Sequence, residues 1–500
     1  MKFAVDAQTM SEIDQYAINN VGIPSLVLME KAAMKLVELL TKKHDKTERI
    51  LAVCGTGNNG GDGVASARML HELGYSVDVY LVGEEEHASE QMKVQLKIIR
   101  NLGMSILNSA KISEYTVIID ALFGVGLKRN IGGVYADVIT EMNASDGVVW
   151  SVDLPSGIDG SNGKQLGVSV EADYTVTFGY NKLGLILYPG CERAGQVEVV
   201  DIGFPAKALE QIKPQAFYYE PSDIQKIPVR KSHSNKGNFG RVLIIAGSKN
   251  MSGAAYLSAK ASYRTGAGLV KILTEESNRA ILQSMLPEAI LSTYQTDNLN
   301  TQKLQEELDW ATVVVLGPGM GTSKTAEKLV SFVITNIKKP LILDADAINL
   351  LADVEKYVIK EDANPNCVLH LPSNVILTPH LKEMSRLTKL PLHHIVSDVF
   401  TVATEYRGQY VLVLKDARTV VASEDQMYLN MSGNNGMATG GSGDVLTGVI
   451  AGLVAQGMKN FDAATMGVYL HGLAGDYATK EKNCYSVMAS DIVDALSYIL

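Results

Sequence analysis

The stretch Gly440-Gly441-Ser442-Gly443-Asp444 runs directly into the apolar segment Val445-Leu446-Thr447-Gly448-Val449-Ile450-Ala451-Gly452, which is typical of a helix. Such a turn aims backbone N–H groups and the positive end of the helix dipole at one point, where negative charge on a phosphoryl group is stabilised. A carboxylate at that point repels phosphate, so Asp444 is better suited to take a proton from a hydroxyl that attacks phosphorus. The alternative is a glycine turn capped by an aspartate, and the stretch alone leaves both interpretations open.

Around this stretch, apolar runs bounded by glycine alternate with amphipathic segments, which predicts parallel sheets covered by helices. The predicted strands of the first half are residues 50–54, 76–82, 116–120, 147–152 and 174–178. Those of the second half are residues 241–246, 312–316, 340–344, 374–378 and 410–414. Each strand of the second half runs into a turn carrying Gly, Pro, Asp or Lys, and ligand-binding loops lie at such strand ends.

The length of 500 residues predicts two or three domains. Residues 204–238, between the two series of strands, carry four prolines and no sheet-like apolar run, as expected of a linker. We place the boundary between Pro214 and Pro221, which gives domains at residues 1–214 and 222–500. Residues 9–43 are predicted to form two helices broken at Gly22-Ile23-Pro24.

The composition excludes several classes of protein. Hydrophobic residues make up 46% and charged residues 20% of the chain, as in soluble globular proteins. The net charge of -10 argues against a nucleic-acid partner. No apolar stretch approaches the roughly 20 residues that span a bilayer, and an acid at position 6 precedes any apolar run, so neither a membrane partner nor a secretory signal is expected.

Cysteine and histidine usage offers no metal site of the zinc type. Cys54, Cys191, Cys367 and Cys484 are scattered and form no CxxC pair, which suits a reducing cytosol. Adjacent His393-His394 do not share a helix face, and no HExxH occurs. We therefore expect a cytoplasmic protein without a protein-ligated transition metal.

Three turns of the first half carry polar residues that are predicted to converge. The first strand ends in Gly55-Thr56-Gly57-Asn58-Asn59-Gly60-Gly61-Asp62-Gly63, ahead of a predicted helix at residues 64–73. Glycine density there permits close approach to a phosphate-bearing ligand, although the spacing is not that of a Rossmann fingerprint. Two further strands end at Asp120 and at Asp153-Leu154-Pro155-Ser156.

Oxygen ligands from Asn59, Asp120 and Ser156 suit a hard monovalent or divalent ion, and Asp153 is placed to shuttle a proton. The alternative is that Asp120 and Asp153 only cap the following turns and that Pro155 only sets turn geometry. Their positions on successive strands of one sheet favour a site.

The strand ends of the second half predict a nucleotide site without the GxxxxGK[ST] loop. Lys415 could neutralise phosphate or solvate the end of a buried strand, and His380 could contact substrate or cap a helix. Asp344 and Asp346 could organise Mg²⁺ or be structural.

With these blocks in place, the chain resembles the bifunctional NAD(P)H-hydrate repair enzymes over nearly its whole length. Residues 57–63, 120–127 and 152–159 resemble the epimerase half. Residues 317–321, 343–347, 378–380 and 437–448 resemble the dehydratase half. The resemblance implies an α/β protein of two domains, an N-terminal Rossmann-like three-layer α/β/α epimerase and a C-terminal ribokinase-like dehydratase.

The resemblance also implies an activity for each domain. NADH and NADPH hydrated at C6 of the nicotinamide ring exist as R and S epimers, which the first domain would interconvert. The second would phosphorylate the C6 hydroxyl of the S epimer with ADP or ATP, after which the ring nitrogen's lone pair expels phosphate. Implied cofactors are K⁺ in the epimerase and Mg²⁺ with ADP or ATP in the dehydratase. A homo-oligomer is expected.

The resemblance also implies roles for individual residues, carried over from the family's motifs. Asp153 and Asp444 are the implied catalytic residues, and Asn59, Asp120 and Ser156 are the implied K⁺ ligands. The hydrated cofactor would be bound in the epimerase by Asn58, Asn59, Gly60, Gly61, Asp62, Gly124, Val125, Gly126, Leu127, Lys128, Arg129, Asn130 and Asp153. It would be bound in the dehydratase by Ala254, Gly319, His380 and Asp444. The adenine nucleotide would be bound by Lys415, Asp416, Ala417, Arg418, Thr419 and Gly443.

The chain departs from the family's pattern at four places. These are Asp416 where glycine is common, Leu381-Lys382 after His380, Asn435 before Gly436, and Lys31 near the N-terminus. None of them removes the implied base or the implied K⁺ ligands, so both activities are expected. Nucleotide binding is the function that these departures would affect most. The competing hypothesis is a ribokinase-like small-molecule kinase with a non-catalytic N-terminal binding domain, which would release a stable phosphorylated product.

Overall fold

The computed structural model describes residues 1–296, 298–353, 358–360 and 367–500. It divides into a first unit, Lys2–Phe217, and a second unit, Tyr218–Leu500, to which Met1 also belongs. The chain thus passes between units within the proline-rich segment. The side chain of Cys367 lies outside the described residues.

The first unit is built on a seven-stranded parallel sheet. The unit has nine strands in its described residues, of which β1 and β8 lie outside this sheet: β1 (Lys2–Val5), β2 (Arg49–Cys54), β3 (Ser76–Leu81), β4 (Ile106–Leu107), β5 (Val117–Ala121), β6 (Val148–Val152), β7 (Tyr174–Phe178), β8 (Asn181–Lys182) and β9 (Gln196–Val200). The order across the sheet is β4-β3-β2-β5-β6-β7-β9, and β1 pairs separately with β8. The chain moves outward from β2 in one direction and from β5 in the other, so the order reverses between these two strands.

Helices cover both faces of this sheet. They are α1 (Ala7–Gln15), α2 (Ser25–Leu40), α3 (Asn58–Glu72), α4 (Glu90–Asn101), α5 (Val134–Asn143) and the short α6 (Leu183–Ile186), α7 (Gly190–Arg193) and α8 (Ala208–Gln211). Alternate residues of β2 enter two different cores: Ile50 packs with residues of α2, α3 and α4, whereas Leu51 packs with residues of α5. This alternation follows from the period of two along a strand and produces three layers.

The second unit follows the same plan. After β10 (Ala216–Tyr218), its strands are β11 (Arg241–Ile245), β12 (Leu269–Glu275), β13 (Ile290–Tyr294), β14 (Val313–Leu316), β15 (Leu341–Leu343), β16 (Val358–Lys360), β17 (Cys367–Leu369), β18 (Val375–Leu377), β19 (Val411–Leu414), β20 (Val420–Ala422) and β21 (Met427–Leu429). The order β13-β12-β11-β14-β15-β18-β19 is parallel, and β20 and β21 extend it antiparallel. The order reverses between β11 and β14.

The helices of the second unit are α9 (Ser252–Arg264), α10 (Arg279–Met285), α11 (Thr301–Trp310), α12 (Lys324–Asn336), α13 (Asp346–Leu351), α14 (Leu381–Thr388), α15 (Leu392–Ser397), α16 (Val399–Glu405), α17 (Ser442–Ala455), α18 (Asn460–Lys482) and α19 (Ala489–Ile499). Helix α17 is buried along nearly its whole length and packs closely on α9. A Cβ at Gly448 would lie 2.2 Å from the Ser258 carbonyl oxygen, so this glycine is required by helix contact.

The structure confirms the predicted two-part α/β architecture, the ten predicted strands and the helix break at Gly22. Eleven strands of the described part of the chain were not predicted: β1, β4, β8, β9, β10, β12, β13, β16, β17, β20 and β21. None of the helices in the described part of the chain combines the length and apolar character that crossing a bilayer requires.

Candidate active sites

In the first unit, the turns after β2 and β5 meet where the strand order reverses. The Gly55 N–H donates to the Ala121 carbonyl at 3.0 Å, and a Cβ at Gly55 would lie 2.2 Å from the Leu122 carbonyl oxygen. Crevices at such reversal points are the usual ligand sites of open parallel sheets.

The predicted start of the helix that follows β2 was wrong. Helix α3 begins at Asn58 rather than at residue 64, so the glycines after it are helical. A Cβ at Gly60 would lie 1.8 Å from the Gly55 carbonyl oxygen, and one at Gly63 would lie 2.4 Å from the Ala121 Cβ. The glycines therefore allow the first helical turn to press against two strand ends, which leaves its orphan N–H groups facing the crevice.

A cavity of about 880 Å³ opens at this point, here called the first-unit cavity. Its walls include most of the predicted substrate-binding residues: Asn58, Asn59, Asp62, Gly124, Val125, Gly126, Leu127, Lys128, Arg129 and Asp153. Gly60 and Gly61 are buried behind that wall, and Asn130 is exposed outside it. The volume is in the range of small-molecule and cofactor sites.

Asp153 is held by a buried lysine that the sequence analysis did not identify. Lys182 Nζ lies 2.5 Å from Asp153 Oδ1, which also accepts from the Thr177 hydroxyl at 3.1 Å and the Phe178 N–H at 3.2 Å. The same ammonium donates to Thr177 Oγ1 and to the Phe178 carbonyl. Burial lowers the pKa of Lys182, and the charge of Asp153 opposes that shift. A lysine directly before the apolar residues 183–187 was the available signal.

Asp120 is a fully buried carboxylate that accepts hydrogen bonds at both oxygens. Its donors are Ser156 Oγ at 2.5 Å, the Ser156 N–H at 2.8 Å, Ser151 Oγ at 2.8 Å and the Leu122 N–H at 3.3 Å. In the described part of the chain no cationic side chain pairs with it, and burial raises its pKa. A buried carboxylate without a counter-charge is unfavourable unless a cation is supplied.

Asn59 reaches the same region from α3. Its Oδ1 would be 3.0 Å from a Cβ at Gly124, so the glycine makes room for the amide. Asn59 Nδ2 is buried and has no hydrogen-bond partner among the described residues. Amide, carboxylate and hydroxyl oxygens form a hard donor set, which fits K⁺ by chemistry and by the missing counter-charge of Asp120.

Two further carboxyl groups line the first-unit cavity. Asp62 was predicted as a substrate-binding residue, whereas Asp14, on α1, was missed. Burial and the charge of Asp153 raise the pKa of both. Asp14 lies one turn after the buried Met10 of α1, a position that an amphipathic helix often gives to an apolar residue.

In the second unit, the turns after β11 and β14 are joined directly. The Gly247 N–H donates to the Pro318 carbonyl at 2.8 Å, and Ser248 Oγ donates to the Gly319 carbonyl at 2.9 Å. Gly319 has φ +57°, and a Cβ there would lie 2.9 Å from the Ala254 Cβ. The structure thus brings together Ala254 and Gly319, two of the predicted dehydratase substrate-binding residues.

Asp344 connects the ends of three strands to α17. Its Oδ1 accepts from Lys415 Nζ at 2.7 Å and Thr378 Oγ1 at 2.8 Å, and its Oδ2 accepts from Thr447 Oγ1 at 2.8 Å. Both oxygens are engaged, so of the two interpretations offered for Asp344 the structural one is favoured. Asp346 Oδ2 accepts from the Gly321 N–H at 2.8 Å and ties β15 to the turn after β14.

His380 caps helix α14. Its Nδ1 accepts from the N–H groups of Lys382 and Glu383, and Glu383 Oε2 accepts from the His380 N–H at 2.8 Å, which completes a capping box. The departure Leu381-Lys382 therefore falls in the first turn of a capped helix. The side chain of His380 remains 46% exposed, which leaves Nε2 accessible beside Glu383.

Residues 415–419 form the loop of the β19–β20 hairpin, a connection that was not predicted. Lys415 is anchored at its start by Asp344, and a Cβ at Gly443 would lie 3.3 Å from Lys415 Nζ. Asp344 and Glu383 raise the pKa of Lys415 against the effect of burial, so the ammonium stays charged. Asp416 and Ala417 are exposed.

Asp444 lies in the first turn of α17, which begins at Ser442, three residues earlier than the apolar run suggested. Burial, followed by repulsion from Asp344, raises its pKa to about 7, and Lys415 limits the shift. Its backbone carbonyl accepts from Ser258 Oγ at 3.0 Å, which ties the turn to α9. A carboxylate with a pKa near neutrality at a helix N-terminus is suited to general-base catalysis.

Comparison with known families gives two matches. Residues 242–497 match the family described as NAD(P)H-hydrate dehydratase, and residues 25–184 match the family described as YjeF-related protein N-terminus.

Two bifunctional relatives match nearly the whole chain, and one solved structure matches a little over half of it. A bifunctional NAD(P)H-hydrate repair enzyme of Moorella thermoacetica is 36% identical, with 100% of this chain and 96% of that protein covered. Its counterpart in Escherichia coli is 32% identical, with 97% and 92% covered. A solved structure of ADP/ATP-dependent NAD(P)H-hydrate dehydratase from Bacillus subtilis, co-crystallised with ATP and Mg²⁺, is 29% identical, covers 57% of this chain and 97% of its own, and has a TM-score of 0.48.

Proposed function

The chain belongs to the family of bifunctional NAD(P)H-hydrate repair enzymes, and we propose that each unit carries one of its two reactions. The first unit epimerises the R and S hydrates of NADH and NADPH at C6. The second unit dehydrates the S epimer by nucleotide-dependent phosphorylation. We assign these activities to residues 1–214 and 222–500. Family membership supports repair over a kinase that releases a stable phosphorylated product.

The epimerase assignment rests on the contacts and position of Asp153. Lys182, Thr177 and the Phe178 N–H all contact Oδ1, which leaves Oδ2 for a proton on the substrate. The carboxyl group lines the first-unit cavity, so it reaches a bound ligand while its other oxygen is fixed. A fixed carboxylate transfers protons efficiently because its orientation is set before the reaction.

Asn59, Asp120 and Ser156 would hold K⁺ behind the wall of the same cavity. When bound, the ion supplies the positive charge that Asp120 lacks and holds the turns after β2, β5 and β6 together. The proton transfer itself belongs to Asp153.

The dehydratase assignment rests on the pKa and position of Asp444. With a pKa of about 7, it accepts the proton of the C6 hydroxyl, whose oxygen then attacks the terminal phosphoryl group of the nucleotide. Lys415 and the N–H groups at the start of α17 stabilise the charge on that group. The C6–O bond then breaks, inorganic phosphate leaves, and the ring nitrogen's lone pair and loss of a proton from C5 restore the dihydronicotinamide.

Nucleotide contacts are proposed for Lys415, Asp416, Ala417, Arg418, Thr419 and Gly443, and hydrated-cofactor contacts for Ala254, Gly319 and His380. Asp416 is an exposed residue, which leaves room for its carboxylate to turn away from the phosphates. Mg²⁺ would enter with the nucleotide, because phosphate oxygens and water supply most of its ligands in such sites. Asp346 has the carboxylate more easily freed for the ion, because its Oδ1 accepts only a 3.4 Å hydrogen bond from Asn349 Nδ2, whereas both oxygens of Asp344 are held by shorter ones.

The return of reduced-nicotinamide absorbance tests both reactions at once. Purified protein is mixed with both NADH-hydrate epimers, Mg²⁺ and K⁺, with ADP, ATP or no nucleotide. We expect recovery beyond the S fraction, dependent on one nucleotide. Recovery of the S fraction alone, once spontaneous epimerisation is subtracted, would refute the epimerase activity. No recovery at all would favour the kinase hypothesis instead.

A cytoplasmic location and a homo-oligomeric state are further proposals, and sedimentation checks the oligomeric state.

A further inference from the structure

Asp14 is a second carboxyl group at the first-unit cavity, and nothing in the reaction described above uses it. It projects from α1, whereas Asp153 follows β6, so the two carboxyl groups reach the cavity from separate elements. In the described part of the chain, the Asp14 carboxyl has no hydrogen-bond donor and no ion-pair partner, in contrast to the three donors on Asp153 Oδ1.

We propose that Asp14 is the second proton-transfer residue of the epimerase and that Asp14 and Asp153 invert C6 by removing one water molecule and adding another. This inference rests on the proposed epimerase function of the first unit. It adds a catalytic residue and a chemical path that the epimerase assignment does not require.

The path balances without any further reagent. Asp14 gives its proton to the C6 hydroxyl, the C6–O bond breaks as the ring nitrogen's lone pair forms a C6=N1 iminium, and water leaves. A second water loses a proton to Asp153, and its oxygen forms the new C6–O bond on the opposite face. One proton has moved from Asp14 to Asp153, and exchange with solvent or the reverse reaction resets the pair.

The surroundings of the two carboxyl groups suit these opposite roles. The charged groups lining the cavity are Asp14, Asp62, Asp153, Lys128, Arg129 and Lys182. The buried cation, Lys182, contacts Asp153, whereas Asp14 faces the neighbouring carboxylate without a cation of its own. Burial, and after it the charge of Asp153, raise the pKa of Asp14, which is the direction that a proton donor requires. Paired carboxyl groups in contrasting environments are the usual way to obtain an acid and a base in one site.

Oxygen labelling distinguishes this path from ring opening. Separated R epimer is incubated with the full-length protein in H₂¹⁸O without nucleotide, and enzyme-free exchange is subtracted. Loss and re-addition of water places one ¹⁸O at C6 in each S product, whereas breaking and reforming the N1–C6 bond retains the original oxygen. We expect labelled product.

Variants test the residue itself. Asp14→Asn should lower the epimerisation rate by about 100-fold or more, the usual loss for one proton-transfer group. Glu12→Gln makes the same chemical change at an exposed position of α1 and should leave the rate unchanged. Both variants should retain the wild-type melting temperature, which reports on folding, and the S-epimer dehydration of the second unit. Asp14→Glu should recover part of the rate.

The outcomes separate this inference from the function on which it rests. Wild-type protein that epimerises with retained oxygen, or an Asp14→Asn protein with the wild-type rate, overturns the inference and leaves the epimerase standing. Wild-type protein that does not accelerate epimerisation at all overturns both.

Discussion

Lys182 Nζ and Asp153 Oδ1 lie 2.5 Å apart, with 1% and 11% of the two side chains exposed. The lysine comes from β8 and the aspartate from the end of β6, so the pair forms only when the first unit is folded. Breaking a buried pair on one side leaves an uncompensated charge, which is far more costly than losing a surface pair.

Lys182→Met should therefore destabilise the protein by about 3–5 kcal/mol. It should also abolish measurable epimerisation, because Asp153 Oδ1 loses its fixed partner. Urea unfolding and nucleotide-free epimerisation check both effects. Lys207→Met, at an exposed position of the same unit, is the matched control and should change neither. Equal stability of the two variants would contradict the ion pair.

Asp153→Asn should abolish epimerisation and spare dehydration of the S epimer, because an amide cannot exchange the proton. Asparagine suits this position, since Asp153 has φ +67° and asparagine tolerates the left-handed region better than alanine does. Separate assays of the two epimers measure the two activities. An unchanged epimerisation rate would remove Asp153 from the mechanism.

The dehydration rate should rise with pH and level off above about 7, because Asp444 acts in its deprotonated form and burial raises its pKa to about 7. Asp444→Asn should lower dehydration by about 100-fold or more and spare epimerisation. A pH–rate profile with saturating nucleotide provides the measurement. A flat profile from pH 5 to 9 in the wild type would contradict the assignment of the base.

The same carboxyl group should make the folded state less stable at neutral pH. Its folded pKa of about 7 lies above the ordinary value of 3.8, so between these pH values the folded state holds the proton more tightly than the unfolded state does. Stability contributed by this group therefore falls as pH rises from about 4 to 7. Melting curves of Asp444→Asn should show a gain over wild type at pH 8 that disappears near pH 4.

Gly443→Ala should raise the KM for nucleotide and lower dehydration, because its methyl group would lie 3.3 Å from Lys415 Nζ and displace the ammonium. A shift of that kind can cost roughly 10-fold or more in rate. Gly440→Ala is the matched control, since a Cβ there meets nothing within 4 Å. Steady-state kinetics measure the KM for nucleotide of both variants. Identical KM values would exclude contact between Lys415 and the nucleotide.

K⁺ should raise the melting temperature of the wild type more than Li⁺ does, because a bound cation supplies the charge that buried Asp120 lacks. Binding at 100 times the dissociation constant corresponds to about 2.7 kcal/mol of stabilisation. Asp120→Asn should lose the difference between the two ions. A wild type that melts at the same temperature in both salts would speak against the site.

Much of the scaffold was predictable because it depends on local patterns. Apolar runs gave the inner strands of both sheets, and glycine-rich turns marked the strand ends where the order of each sheet reverses. Strands β9 and β13 escaped prediction because each leaves residues exposed and shows no continuous buried run, whereas β20 and β21 are buried but only three residues long. The starts of α3 and α17 were placed too late, since glycine in a first helical turn resembles a loop when packing is not known.

The sequence by itself determined the two α/β units and the strand-end turns on which Asp153 and Asp444 lie, because backbone sterics and side-chain periodicity act over a few residues. Only the tertiary structure decided that Lys182 holds Asp153, that Asp14 enters the same cavity, and that Asp344 engages Lys415 rather than standing free. The two ion pairs join residues 29 and 71 positions apart in the chain, and Asp14 is farther still from the other carboxyl groups of its cavity. Ion pairing and shared burial depend on distance in space, which separation along the chain does not set.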